Sequence, residues 1–274
     1  PELRSLEAID AITNLAALEI RNNESLKSLD GLQQLTGLFS IKIESARSLH
    51  DFDALAELSS LSSLSLERCP RLTSLDFLTQ QSTLHDLSLA HSSNVQSFEP
   101  LQGSSALEVL VLVEQPRLLD LACFPRSNQL RFLDVGASSS LSDISALSHC
   151  HRVMHLHMNH CREVRNFSVI RKLGDLHAFS IADNPYLRHV DFLAEHPWLE
   201  YVLIDNCPNL RNLRGLRELP RLEELNLRYL PSLEGLEDIR TLAAIKLVRC
   251  FRDVELASCI RRAFPAVEVS TITN

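Results

Sequence analysis

Apolar residues return along this chain at fixed intervals. From Leu15, a step of 23 residues meets Leu38, Leu61, Leu84, Leu107, Leu130, Val153, Leu176, Leu199 and Leu222 without an insertion. The same step from Leu18 meets Ile41, Leu64, Leu87, Leu110, Leu133, Leu156, Phe179, Val202 and Leu225. With Leu15 as position 1, positions 6, 12, 15 and 18 keep the rule equally well. The unit is therefore L-x-x-L-x-L-x-x-(N/C/S)-x-x-L-x-x-L-x-x-L-x-x-x-x-x, ten times over residues 15–241. Alternation at positions 4 to 6 predicts a short strand with every second side chain facing one way. The three-residue spacing from position 12 to 18 predicts extended or 3₁₀ turns, since the segment is too short for a long helix. No unit can bury its own leucines, so the copies must stack and share a core.

The ends depart from the rule. Leu3, Leu6, Ile9 and Ile12 fall on positions 12, 15, 18 and 21 of an earlier unit, so residues 1–14 read as half a repeat, with more repeats or another domain expected before them. At the other end Leu242, Ile245 and Leu247 follow Leu222, Leu225 and Leu227 by 20 residues, which predicts a shortened repeat. A short helix around 257–264 and a last strand using Phe264, Val267 and Val269 would make residues 242–274 a capping unit, which closes an exposed core.

The unit resembles the leucine-rich repeat family, in its Cys- and Asn-containing 23-residue form, and the match covers nearly the whole chain. That resemblance implies a repeat solenoid: a horseshoe or arc with a parallel sheet on the concave face and short 3₁₀ or extended segments on the convex one. At about 4.8 Å per strand, eleven strands would give an arc roughly 50 Å long. It also implies that the side chain at position 9 turns inward and hydrogen-bonds the backbone where the strand ends. Position 9 holds Asn23, Ala46, Cys69, Ser92, Gln115, Ser138, Cys161, Asn184, Cys207 and Leu230, with Cys250 equivalent in the shortened unit. Asn and Ser can serve as donors there, and Cys can do so weakly while filling apolar space.

Composition narrows the function. The net charge is −8, from 27 Lys and Arg against 35 Asp and Glu, and no basic cluster stands out along the chain, so nucleic-acid and anionic-membrane binding are disfavoured. The most apolar run, residues 106–113, is too short to span a bilayer and contains Glu108. Seven cysteines without disulfide-framework spacing point to a reduced, intracellular, cytoplasmic protein. Cys123, in a convex segment, is the one candidate for a reactive surface thiol. Only 7 glycines and none of the phosphate-loop, dinucleotide, zinc-protease or nucleophile-elbow motifs occur, so no catalytic residues and no cofactor are expected.

Residues 148–161, SHCHRVMHLHMNHC, look like a zinc site until the repeat register separates them. His149 and His151 fall on the turn before a strand, His155 and His157 on the outward strand face, His160 at position 8, and Cys161 inward. Only His155 and His157 could share a ligand, with Asp134 beside His157, which is too few for a closed site. No metal is expected, and a pH-sensitive contact surface is the better reading.

The strand positions numbered 2, 3, 5, 7 and 8 carry no expected structural duty, so their chemistry marks the contact surface. Val109, Val111 and Val113 present three valines, Phe132 and Asp134 stand beside them, His155 and His157 follow, and Tyr201 and Leu203 continue the apolar band. Exposed apolar groups ringed by polar ones mark protein contacts; the bland alternatives are that valine merely favours strands or that a further segment of the full protein folds back over the arc. The expected function is a non-catalytic interaction module, monomeric or part of a larger assembly, binding a protein or peptide on its concave face. The alternative is a substrate-recognition or scaffold part of a ubiquitin-ligase receptor or cytoskeletal assembly whose activity lies elsewhere.

Overall fold

The computed structural model describes residues 3–7, 9, 12, 14–124, 129–234, 236–239, 241–251, 258, 261–262 and 268–272. They form two compact units, residues 1–138 and 139–274. The first holds strands β1 (Ala17–Arg21), β2 (Ser40–Glu44), β3 (Ser63–Glu67), β4 (Asp86–Ser88), β5 (Val109–Val111) and β6 (Phe132–Asp134). Each pairs in parallel with the next at the repeat step, so Leu18, Ile41, Leu64, Leu87, Leu110 and Leu133 lie side by side. The second unit holds β7 (His155–His157), β8 (Ala178–Ala182), β9 (Tyr201–Asp205), β10 (Glu224–Arg228), β11 (Leu247–Phe251) and β12 (Glu268–Ile272). There Leu156, Phe179, Val202, Leu225, Val248 and Val269 are in register.

The return segments are 3₁₀ turns, such as Asp76–Gln80 and Glu99–Gly103 in the first unit and Ser168–Lys172 and Asp191–Leu193 in the second. Position 14 starts many of them. Ser74 Oγ accepts the Asp76 N–H at 3.1 Å, Asp143 Oδ1 that of Ser145 at 2.8 Å and Asn166 Oδ1 that of Ser168 at 3.0 Å, satisfying backbone donors that a short turn leaves unpaired. Between sheet and turns runs the leucine core, in which Leu110, Leu112, Leu225 and Leu227 are fully buried; each such side chain contributes about 1.5–3 kcal/mol. Among the described residues, no helix is long and apolar enough to cross a membrane.

Position 9 does what the resemblance implied. Asn184 Nδ2 donates to the carbonyls of Cys161 and Val164 at 2.9 and 3.0 Å, while its Oδ1 accepts the N–H groups of Tyr186 and Leu187, both at 2.9 Å. Ser92 Oγ donates to the Leu66 carbonyl at 2.7 Å and accepts the Cys69 N–H at 3.0 Å. The thiols of Cys69 and Cys207 point at the carbonyls of Glu67 and Asp205 at 3.6 and 3.4 Å. Burial pushes these two up to about 11 and about 12 respectively, so they are inert packing groups.

Position 8 has a duty that the sequence reading missed. Asn22, Ser45, Arg68, His91, Glu114, Ala137, His160, Asp183, Asn206 and Tyr229 all have positive φ, between 46° and 62°, and none is glycine. The left-handed residue turns the chain out of the strand, and its N–H still reaches the next coil, as from His160 to the Ala182 carbonyl at 2.8 Å. For an L residue this conformation costs roughly 1–2 kcal/mol, and Asn, Asp and His tolerate it best.

The carboxyl-terminal register also differs from expectation. Leu225 pairs with Val248 and Leu227 with Cys250, and the N–H groups of Lys246 and Leu247 both reach the Glu223 carbonyl, so the 23-residue step continues and no shortened repeat occurs there. Cys250 therefore takes position 6, not 9, and Arg249 takes position 5 in place of Lys246. Leu247 pairs with Glu224 on the outward face, and a leucine there looks the same in a sequence as a leucine in the core. Val269 aligns with Val248, which puts the last strand two residues later than its apolar pattern suggested. Ser258, Arg261 and Arg262 are helical; the rest of the expected capping helix, with Cys259, Phe264 and Val267, lies outside the described residues.

Candidate binding site

On the outward sheet face of the first unit, Val109 pairs with Phe132 and Val111 with Asp134. All four are half-buried. Asp86 and Ser88 border the valines on the β4 side, and burial raises the Asp86 carboxyl above its ordinary value, with His85 opposing the shift. Val113 does not belong to the strand: β5 ends at Val111, and the Val113 carbonyl accepts the His91 N–H at 3.0 Å. Asp134 has a local task as well, since its Oδ1 accepts the Gly136 N–H at 2.8 Å.

The second unit presents a different relief. His155, Ala178 and Tyr201 form one row across β7, β8 and β9, and His157, Ser180 and Leu203 the next. The expected band is thus interrupted by small residues. Ala178, Ser180 and Ala182 are only 8%, 3% and 7% exposed although they face outward, because taller side chains stand on either side. They floor a trough walled by His155 and His157 on one side and by Tyr201, Leu203 and Asp205 on the other. The segment AFSIA, with small residues at positions 3, 5 and 7, was the signal for it. Burial lowers the pKa of His155, and His157 and His177 lower it further, so its ring is largely neutral at pH 7.

At the strand ends the trough opens into a cleft of about 590 Å³ lined by Asn159, Ala182, Asp183, Leu203, Asp205 and Arg228 among others. Asp183 pairs with His160 and accepts a hydrogen bond from Asn206; Asp205 lies 3.9 Å from Arg228. Burial raises the Asp205 carboxyl, and Arg228 pulls it back. Asn159 Oδ1, on the wall of this cleft, and Asn226 Oδ1, on the same face, are buried without a hydrogen-bond partner. A buried unpaired acceptor is costly, by about 1–3 kcal/mol, and an incoming N–H would relieve it.

Elsewhere the candidate chemistry does not assemble. His151 Nδ1 lies 2.9 Å from the Lys172 carbonyl, and among the described residues no group of three or more His, Cys, Asp or Glu side chains is arranged to hold a metal ion. The Cys123 thiol is not the reactive group considered above: burial, then Asp120, pushes it up to about 12, which leaves almost no thiolate.

No model of a protein family matches the chain, and no curated protein matches it. Solved structures do resemble it. An internalin, InlF of Listeria monocytogenes, superposes with a TM-score of 0.73 at 17% identity over 100% of this chain and 78% of that one. The leucine-rich repeat part of FLRT2, in an octameric complex with Latrophilin 3 and Unc5D, gives 0.64 at 15% identity over 94% and 83%. The functional domain of InlJ from Listeria monocytogenes, which includes a cysteine ladder, gives 0.60 at 17% over 89% and 59%. With the gapless register, the parallel strand pairing and the 3₁₀ returns, these likenesses establish that the chain has the leucine-rich repeat fold.

Proposed function

We propose that the chain is a protein-interaction module whose outward sheet face binds a protein or an extended peptide. The observation that carries this reading is the trough over Ala178, Ser180 and Ala182, which leads to a cleft where the buried Asn159 Oδ1 lacks a partner. A peptide laid along it would place side chains between the flanking rows and supply an N–H donor to Asn159 at the cleft. In the first unit, the half-buried Val109, Val111 and Phe132 offer an apolar contact of the kind that anchors interfaces. FLRT2, a structural neighbour, is found in a complex with other proteins, which suits the same use of the fold. Cys69, Cys123, Cys150, Cys161 and Cys207 are free thiols, which suits a reducing, cytoplasmic setting.

The test is affinity capture from the native cell with three baits: the wild-type chain, a Val111→Asp, Phe132→Asp variant and a Tyr201→Asp, Leu203→Asp variant, each checked for a native melt. Partners lost from a variant place the contact on that unit's sheet face. An identical partner set with all three baits would sink the proposal.

A further inference from the structure

The turn side of the second unit carries a groove between the coils of residues 153–175 and 176–198. It has a volume of about 390 Å³ and is walled by Arg165, Arg171 and Arg188, with Ser168 and His189 at its rim. Its floor is Phe167 and Phe192, stacked at 5.4 Å. Similar grooves between coils occur in the first unit; one of about 540 Å³ is lined by Thr73, Asp76, Thr79, Gln96 and Glu99. The hollow itself is therefore a product of stacking, and its side chains are what set this one apart.

Arg165 is held in place: its guanidinium lies 4.3 Å over the Tyr186 ring and donates to the Tyr186 hydroxyl at 3.0 Å. Its contact with Glu163 at 3.5 Å and that of Arg171 with Glu195 at 3.3 Å are exposed pairs, which are weak and readily exchanged for a better acceptor. The Arg188 side chain makes no hydrogen bond or ion pair among the described residues. At position 13 of successive coils stand Arg165, Arg188 and Arg211, where the first unit has Lys27, His50, Thr73, Gln96 and Leu119. No packing requirement explains the change.

We propose that this groove binds the phosphorylated side chain of a peptide partner. Three guanidinium groups match the three terminal oxygens and nearly double charge of a phosphate monoester, whereas a carboxylate offers two oxygens and one charge. Free phosphate would leave the phenylalanine floor unused. A nucleic acid is disfavoured because residues 139–274 carry as many Asp and Glu as Lys and Arg, so no long-range field draws a polyanion. The site lies on the turn side, apart from the sheet face proposed above, and does not depend on that reading.

The experiment is an NMR titration of the ¹⁵N-labelled full chain with the N-acetyl amides of phosphotyrosine and phosphoserine. The same amides of tyrosine and glutamate, and inorganic phosphate, serve as comparisons. Expected are shifts confined to residues 165–171 and 186–192 with a phosphorylated probe, and binding about tenfold weaker or worse for the comparisons. Arg188→Glu and Arg171→Glu should each abolish the shifts while the remaining spectrum stays native, and Arg117→Glu in the first unit should change nothing. Equal binding of the glutamate amide would make this a carboxylate site, and equal binding of inorganic phosphate a small-anion site; either overturns the proposal. So would the absence of shifts with both phosphorylated probes, or their survival in Arg188→Glu.

Discussion

The two units are built from one scaffold and differ in what they show to solvent. Both stack leucines at the same six positions, turn the position-9 side chain inward and leave the strand through a left-handed residue. Yet the whole net charge of −8 belongs to residues 1–138, since the second half is balanced. Their turn grooves contrast most. In the first unit Asp76 and Glu99 line the hollow that Arg165, Arg171 and Arg188 line in the second. Solenoid coils touch only their neighbours, so outward positions vary freely while inward ones cannot. Function in such a fold is therefore to be sought where equivalent positions of the two units disagree.

The largest effect should test whether the scaffold is truly shared. Leu110→Asp in the first unit and Leu225→Asp in the second each bury a charge among leucines. Both should lose several kcal/mol in denaturant unfolding, whereas Val111→Asp and Leu203→Asp should stay within about 0.5 kcal/mol of the wild type. Equal losses for inward and outward residues would break the register on which the comparison stands.

A smaller effect separates the units by chemistry. At position 21, where Leu58 and Leu173 are typical, the first unit has Gln81 and the second His196, both buried. Gln81 Nε2 donates to the Leu55 carbonyl at 2.6 Å and leaves its Oε1 unpaired. Neither ring nitrogen of His196 has a well-formed partner. Burial lowers its pKa below 6.5, although backbone groups of Leu173 and Phe192 partly oppose this. The unfolded state then binds the proton more tightly, so stability is full above about pH 6.5 and is lost as pH falls towards the depressed folded value. His196→Leu should raise stability by about 1–3 kcal/mol and flatten the loss between neutral pH and pH 5, whereas Gln81→Leu should leave the pH profile unchanged. Melting curves across that range read both.

The smallest effect concerns the left-handed turn. Ala137→Gly should stabilise by about 1 kcal/mol, because glycine removes the cost of its φ of 56°. Asn206→Gly should gain nothing, because asparagine tolerates the conformation and here donates to Asp183. A gain at both would mean that side-chain identity at position 8 is irrelevant to the turn.

Much of the fold was legible because the core alternates with a fixed period, and a leucine at position 4 or 6 has only one place to go. Position 9 was legible for a similar reason: Asn, Ser and Cys share size and the ability to meet a backbone carbonyl. The trough was legible only in part: AFSIA puts small residues at positions 3, 5 and 7, but Ala178 and Ser180 floor nothing until His155 and Tyr201 are set on either side of them. The left-handed residue at position 8 was not legible, where the side chains run from Ala to Arg to Tyr and carry no common signature; only the backbone repeats.

By itself, then, the sequence determined the repeat length, the parallel strands with short returns, the inward cysteines and the absence of a linear metal or catalytic motif, all of which follow from local period and residue type. Tertiary structure alone decided the continued register through Val248, the burial that silences Cys123, the neutral His196 and the charged groove on the turn side. Each of these depends on residues about 23 apart in the chain becoming neighbours in space, and no local pattern records which side chains will meet.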